Sequence, residues 1–219
     1  MKKPLEYIYN LRNDYASGSL DEANASENPF DQFEKWLAEA IVSAKGTDED
    51  VNAMMLSTAD LSGRVSSRIV LLRGFSPKGF VFFTNYGSRK GAQIAENPQG
   101  SLLFFWAKLQ RQVRVEGVIS KTSRRVSAEY FSTRPRESQI GAWASAQSSV
   151  IESRRELEER IAALEKKFEG KPVPCPPFWG GYVLKPDFFE FWQGRASRLH
   201  DRLRYTKRRA GWKIERLSP

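Results

Sequence analysis

The sequence predicts a mainly β fold, antiparallel, with flanking helices, and three observations carry that prediction. Five short segments rich in β-branched and aromatic residues follow one another from about Asn52: 54–60, 64–75, 79–85, 100–107 and 110–120. Gly, Pro and Asn punctuate them, and little helical spacing separates them. Within the last, Val113, Val115 and Gly117 alternate with Gln112, Arg114 and Glu116, the two-residue period of a strand with one buried face. Closely spaced strands of this kind close into an antiparallel barrel or stack as a sandwich.

The other elements follow in chain order. Residues 1–28 read as a mobile lead-in, polar and aromatic-poor over 10–28, and 29–219 as a single domain. Asn28-Pro29 starts a helix, with Asn as N-cap and Pro at the first helical position. Phe30, Phe33, Leu37, Ala40 and Ile41 share its apolar face. In the strand SSRIVLLRG, alternation puts Arg68, Val70 and Leu72 on one face and Arg73 on the other unless the strand bends. A short helix opens at Ser88 and another lies near Ser123–Thr133. Ser153–Phe168 is the best-marked helix, with Ser153-x-x-Glu156 as a capping box and Gly170 as a stop. Its stripe of Leu157, Ile161, Leu164 and Phe168 reads as core or a dimer seam. A stiff proline-rich connector, 171–177, leads to strands at 181–184, 188–193 and 212–217.

Composition narrows the class. Of 219 residues, 28% are charged and 40% hydrophobic, and no apolar run approaches the ~20 residues that span a bilayer. The opening MKKPLEYIYN has no apolar signal core, and one cysteine, Cys175, builds no internal disulfide; both point to the cytoplasm. A net charge of +9 favours anionic partners without choosing among them. There is no GxGxxG, no GxxxxGK, no GxSxG and no His/Cys cluster, so nucleotide loops, a serine elbow and a metal site are not expected.

What remains is a pattern of cations beside hydroxyls and amides. Arg68 and Arg73 lie on or near one strand. Arg89 and Lys90 open a helix after Gly87-Ser88, where free N–H groups and the dipole favour a phosphate. Tyr130, Arg134 and Ser138 lie in YFSTRPRES, with Gln147-Ser148-Ser149 beyond. The segment RASRLHDR, 195–202, holds the chain's only histidine. If it is a strand, Arg198, His200 and Arg202 project to one face and need an anionic partner. The flanking arginines should depress the His200 pKa and keep the ring neutral.

Several runs together resemble the pyridoxamine 5′-phosphate oxidase family: RIVLLRG (68–74), FFTNYGSRKGAQIAENP (82–98), RQVRVEG (111–117), YFSTRPRESQIGAWAS with QSS (130–149), PPFWGGY (176–182), and FWQG with RLHDR (191–202). The similarity runs from about Leu11 to the final RLSP. It implies an FMN-binding split β-barrel that works as a homodimer with FMN at the interface. Cofactor contacts then fall on Arg68, Ile69, Val70, Leu71, Leu72, Arg73, Phe83, Thr84, Arg89 and Lys90, completed by Gln112, Gln147, Ser148, Trp192 and Arg202. Arg73, Tyr130, Arg134 and Ser138 hold the substrate phosphate. Arg198, Leu199 and His200 meet the pyridine ring, with Arg198 and His200 the catalytic pair, and Arg12, Asn13, Asp14 and Tyr15 form a lid. Arg195 falls outside the matched residues and reads as surface. The chain departs from the family in carrying Arg73 for the usual Lys, Asn13 and Asp14 in the lid, and Phe83 for a frequent Tyr.

The implied reaction oxidises pyridoxamine or pyridoxine 5′-phosphate to pyridoxal 5′-phosphate. Hydride leaves the 4′-carbon for the flavin, and O2 then takes the electrons as H2O2; the amine also releases ammonia. The alternatives are another FMN split-barrel oxidoreductase with a different substrate, a non-catalytic carrier of FMN or pyridoxal phosphate, and a basic nucleic-acid-binding barrel. The last needs stacking aromatics beside the basic tail, where only Tyr205 and Trp212 stand.

Overall fold

The computed structural model describes residue 15 and residues 18–219, so the expected lid residues Arg12, Asn13 and Asp14 lie outside the described residues. The chain divides into two compact units, 52–103 with 115–187 and, around them in sequence, 1–51 with 104–114 and 188–219.

The first unit is an antiparallel sheet flanked by helices. It contains β1 (Ala53–Ala59), β2 (Val65–Leu71), β3 (Gly74–Ser76) and β4 (Gly79–Asn85), with parts of β5 (Gln99–Trp106), β6 (Arg111–Lys121) and β7 (Trp179–Gln193). The strand order is β2-β1-β5-β6-β7-β4-β3. Leu56 pairs with Arg68 and Met55 with Ile69, so β2 turns Ser66, Arg68 and Val70 one way and Val65, Ser67 and Ile69 the other. The expected strand 64–75 breaks at Leu72-Arg73. There the Leu72 N–H turns to the Asn52 carbonyl and the Arg73 N–H to Val81, which starts β3 on a new partner. Met54, Leu56, Phe80, Phe82, Leu102, Tyr182 and Leu184 are the closed interior of this sheet.

β7 is one strand where the sequence suggests two, 181–184 and 188–193. Pro186 breaks the sequence pattern but not the strand, because β6 presents Gly117 there. A Cβ on Gly117 would stand 2.1 Å from the Lys185 carbonyl oxygen. The helices are α2 (Arg89–Glu96), α3 (Arg124–Ser132), α4 (Arg136–Ala144) and α5 (Arg154–Lys167). The Ser153 hydroxyl caps α5 as expected, while Glu156 receives the Glu152 N–H rather than that of Ser153. Ile161 and Leu164 pack on Phe131, Ile140, Phe168, Val173 and Trp179, so the α5 stripe is core. α4 is unannounced in the sequence: its N-cap is Pro135, which offers no side-chain cap, and only Ile140 and Ala144 on it are buried.

The second unit holds α1 (Pro29–Ser43), the C-terminal part of β7, β8 (Asp201–Lys207) and β9 (Trp212–Arg216), together with 104–114. The Asn28 side chain accepts the Phe30 N–H at 3.0 Å, as an N-cap should. α1 buries Phe30, Phe33, Trp36 and Ala40, while Ile41 is 49% exposed; the apolar face is turned toward Trp36 rather than Ile41. An aromatic core follows, in which Phe33 meets Phe104 at 4.9 Å and Trp36 meets Phe191 at 5.4 Å. β7, β8 and β9 pair antiparallel in turn.

RASRLHDR is not a strand up to Asp201. Residues Ala196–Arg198 form a single 3-10 turn in which Ser197 and Arg198 have φ of 55° and 60°, and left-handed backbone cannot extend a ladder. Only Arg202 of the three expected residues sits on a strand. The turn is pinned: the Arg195 N–H donates to His200 Nδ1 at 3.1 Å, and its side chain reaches the Gly18 carbonyl and the Asp201 carboxylate. Arg195 is exposed, as expected, and also braces the turn. Asp201 also accepts the Leu20 N–H and pairs with Arg216, which binds Glu22 as well, so the residues from Gly18 onward in the lead-in are tied to β8 and β9.

Candidate active site

A cleft of about 830 Å³ opens in the first unit between β2, β4, the start of α2 and the α3–α4 segment. On β2, Arg68 points into it with its guanidinium fixed from behind. Nη1 donates to Thr58 Oγ1 and the Leu56 carbonyl, and Nη2 donates to Ser66 Oγ. Both hydroxyls then donate to Gln93 Oε1, at 2.6 and 2.8 Å. Gln93 is 4% exposed and anchors this network from α2.

The α2 N-terminus is set by Ser88, whose Oγ caps the Gly91 N–H. Gly91 lies so close to Tyr86 that a Cβ would stand 2.1 Å from its carbonyl oxygen. That approach seats Lys90 in the cleft wall, 8% exposed, with Nζ on Thr84 Oγ1 at 2.9 Å, Ser88 Oγ at 3.1 Å and Gln147 Oε1 at 2.8 Å. Burial, then the charge of Arg68, pulls its pKa down to about 8. Burial and then Arg89 likewise lower Arg68.

The opposite wall is aromatic. Phe83 stacks on Tyr130 with centroids 4.0 Å apart, and on Trp179 at 5.6 Å. Arg73 lies 5.8 Å from the Tyr130 ring centre and Arg134 4.7 Å from that of Trp179. Arg134 Nη1 is buried without a hydrogen-bond partner among the described residues. Burial lowers the Arg134 pKa; the Tyr130 hydroxyl opposes this and Arg73 adds to it. No carboxylate contributes to the shifts of Arg68, Lys90 or Arg134. Desolvated cations with no carboxylate countercharge among the described residues, and a buried guanidinium N–H with no acceptor among them, make a site built for anions.

The structure thus gathers Arg68, Ile69, Val70, Leu71, Arg73, Phe83, Thr84, Arg89, Lys90, Tyr130, Arg134, Ser138, Gln147 and Ser148 along one cleft. Leu72 does not line it; its side chain is 6% exposed in the interior. The remaining expected residues that the structure describes, Tyr15, Gln112, Trp192, Arg198, Leu199, His200 and Arg202, belong to the second unit. There Trp192 lies 4.5 Å from the His200 ring and 6.0 Å from that of Tyr15, which is 5.8 Å from His200. Burial first, and Arg198 second, lower the His200 pKa, so the ring is neutral near pH 7. Arg198 and Leu199 are exposed on the left-handed turn. Gln112 is half-buried on β6. Arg202 is already paired, with Glu190 at 2.8 Å and the Ser218 carbonyl at 2.8 Å. Thr58, Ser66, Gln93 and Trp179 were absent from the expected set. Trp179 lies inside the PPFWGGY run, whereas nothing local in sequence marks Gln93.

In fold the chain is similar to the crystal structure of PhzG from Burkholderia lata 383, in complex with tetrahydrophenazine-1-carboxylic acid (TM-score 0.84, 30% identity, 92% of this chain and 100% of that one). It is also similar to a pyridoxamine 5′-phosphate oxidase-related, FMN-binding protein from Nostoc punctiforme PCC 73102 (TM-score 0.68, 16% identity, 85% and 97%). Fold and cleft define a split-barrel protein with an anion-binding site. The family signature "Pyridoxamine 5′-phosphate oxidase" matches residues 44–168, and "Pyridoxine 5′-phosphate oxidase C-terminal dimerisation region" matches 179–219. Proteins named pyridoxine/pyridoxamine 5′-phosphate oxidase from Rubrobacter xylanophilus (95% of each chain) and Paraburkholderia phymatum (97% of this chain, 99% of that one) are each 54% identical. The chain belongs to the pyridoxamine 5′-phosphate oxidase family. No helix among the described residues is long and apolar enough to cross a membrane.

Proposed function

We propose that this chain oxidises pyridoxamine 5′-phosphate and pyridoxine 5′-phosphate to pyridoxal 5′-phosphate as a cytoplasmic, FMN-dependent homodimer. The observation that carries the reading is that five cations, Arg68, Arg73, Arg89, Lys90 and Arg134, line one cleft, which we read as two phosphate seats. Arg68, Arg89 and Lys90, with Thr84, Gln147 and Ser148, suit the cofactor phosphate. Arg73, Tyr130, Arg134 and Ser138 suit a second phosphate, that of the substrate. An enzyme that holds two phosphorylated ligands side by side for hydride transfer needs two such seats.

FMN, when bound, would accept a hydride from the substrate and pass two electrons to O2, giving H2O2. The chain's own residues bind and orient. Arg134 donates to the substrate phosphate through its free Nη1, and Arg73 adds charge. His200, beside Trp192 and accepting the Arg195 N–H at Nδ1, carries its proton on Nε2 when neutral and donates one hydrogen bond at the substrate ring, and Arg198 steadies the charge there. The match of 179–219 to a dimerisation region supports delivery of Trp192, Arg198, His200 and Arg202 to the cleft of a second copy. Tyr15, the one expected lid residue among those described, lies beside Trp192 and His200.

The test is aerobic incubation of the FMN-loaded protein with each phosphate ester, following aldehyde and peroxide. Protein that takes up no FMN refutes the flavin reading. FMN uptake without turnover favours a split-barrel oxidase for another substrate, a reading to which the similarity to PhzG lends weight. His200→Ala and Arg198→Ala should retain FMN and lose turnover by about 10²-fold or more; loss of FMN instead would reassign both residues to the cofactor.

A further inference from the structure

Trp179 opens β7, is 6% exposed, and heads a stack of rings. Its ring lies within 6° of parallel with Tyr130 and 15° of Phe83, at 6.2 and 5.6 Å. Phe83 and Tyr130 stack at 20°. Arg134 lies over the same indole at 4.7 Å. Two groups assigned above to the substrate phosphate, Tyr130 and Arg134, are thus braced by one side chain.

The manner of the brace matters. An aromatic face attracts a guanidinium through its flat side, whereas hydrogen bonds leave through the edge. A carboxylate brace would occupy the same N–H groups that an anion needs. Over Trp179, Arg134 is fixed and yet keeps Nη1 unpaired in a buried position. Trp179 is itself fixed by the backbone: its N–H donates to the Pro176 carbonyl at 3.2 Å, its carbonyl accepts from Arg124 at 3.0 Å, and it pairs with Asn85 on β4.

We propose that Trp179 is a positioning residue for the substrate phosphate, holding Arg134 by its ring face and Tyr130 through the stack so that both meet the anion without rearranging. The inference rests on the phosphate reading of that seat. It predicts an effect on phosphate recognition that is separable from the chemical step and from FMN binding.

The experiment compares FMN-loaded wild type with Trp179→Phe and Trp179→Leu. Inorganic phosphate is titrated calorimetrically, and KM and kcat are measured for pyridoxamine 5′-phosphate. Trp179→Leu should weaken inorganic phosphate and raise KM by about tenfold, with kcat within about twofold and FMN retained; Trp179→Phe should recover most of the loss. Unchanged phosphate affinity in Trp179→Leu overturns the proposal, as does a fall in kcat at unchanged KM. If Trp179→Leu does not fold, Trp179→Phe decides, since a weaker ring should still cost about twofold in phosphate affinity and none in FMN. A wild type that binds inorganic phosphate through Trp179 yet oxidises neither ester would refute the proposed reaction and leave the role of Trp179 standing.

Discussion

Lys90 titrates in an accessible range. Its pKa of about 8 lies below the ordinary lysine value, so between about pH 8 and 10.5 the folded group is neutral while the unfolded one is charged. Its contribution to apoprotein stability therefore improves as pH rises through that window and is unfavourable below it. Phosphate binding runs the other way, because it needs the ammonium. FMN affinity of the apoprotein should fall about tenfold from pH 7 to 9, followed by flavin fluorescence quenching. Lys90→Arg should flatten the profile, and Lys90→Met should be weak at both ends. A wild-type profile as flat as that of Lys90→Arg would count against Lys90 as a phosphate ligand. At this scale the sequence was informative about charge and silent about support. Adjacent Arg89 and Lys90 after Gly87-Ser88 announce an anion seat, but Gln93, which anchors Arg68 through Thr58 and Ser66, is an ordinary amide until the fold brings 58, 66 and 93 together.

Among the elements, α2 shows how packing sets chemistry. Gly91 lets the helix approach the Tyr86 carbonyl, and that approach places Lys90 against Thr84 and Gln147. Gly91→Ala should push the helix outward, costing about 1–3 kcal/mol and lowering Tm by about 5 °C, with weaker FMN retention than in wild type. Thermal melts with and without added FMN measure both effects; an unaltered melt would show that the helix accommodates the methyl. Strands were legible where alternation was strict, as in β6, and α1 and α5 where a side-chain cap marked the start. The turn at 196–198 was not, because left-handed backbone at Ser197 and Arg198 has no signature in residues that are neither Gly nor Asn. α4 was missed for want of a cap and a broad apolar face. The pairing of Arg202 with Glu190 was out of reach, since twelve residues and a reversal of the chain separate them.

For the whole molecule, the outer side of β1, β2 and β5 carries an apolar row. Met55 pairs with Ile69 on one side and Leu103 on the other; Met55 is 39% and Ile69 62% exposed. Ile69 also lines the cleft, so the row adjoins the proposed cofactor seat. A row of this kind fits the homodimer proposed above. Met55→Asp should shift sedimentation toward monomer and release FMN in parallel, since a seat completed by a second copy fails with the interface. A monomer that kept FMN would show that one chain suffices.

The turn that carries Arg198 also bears on how such a protein evolves. Ser197 and Arg198 hold conformations that cost each about 1–3 kcal/mol. Glycine would adopt them freely, so selection for heat resistance alone should enrich Ser197→Gly. Selection for turnover should resist it, because the freedom that relieves the backbone also loosens Arg198 and His200. Parallel libraries at 197, one sorted on melting temperature and one on aldehyde formation, should diverge; convergence on glycine in both would mean the strained turn is inherited rather than maintained.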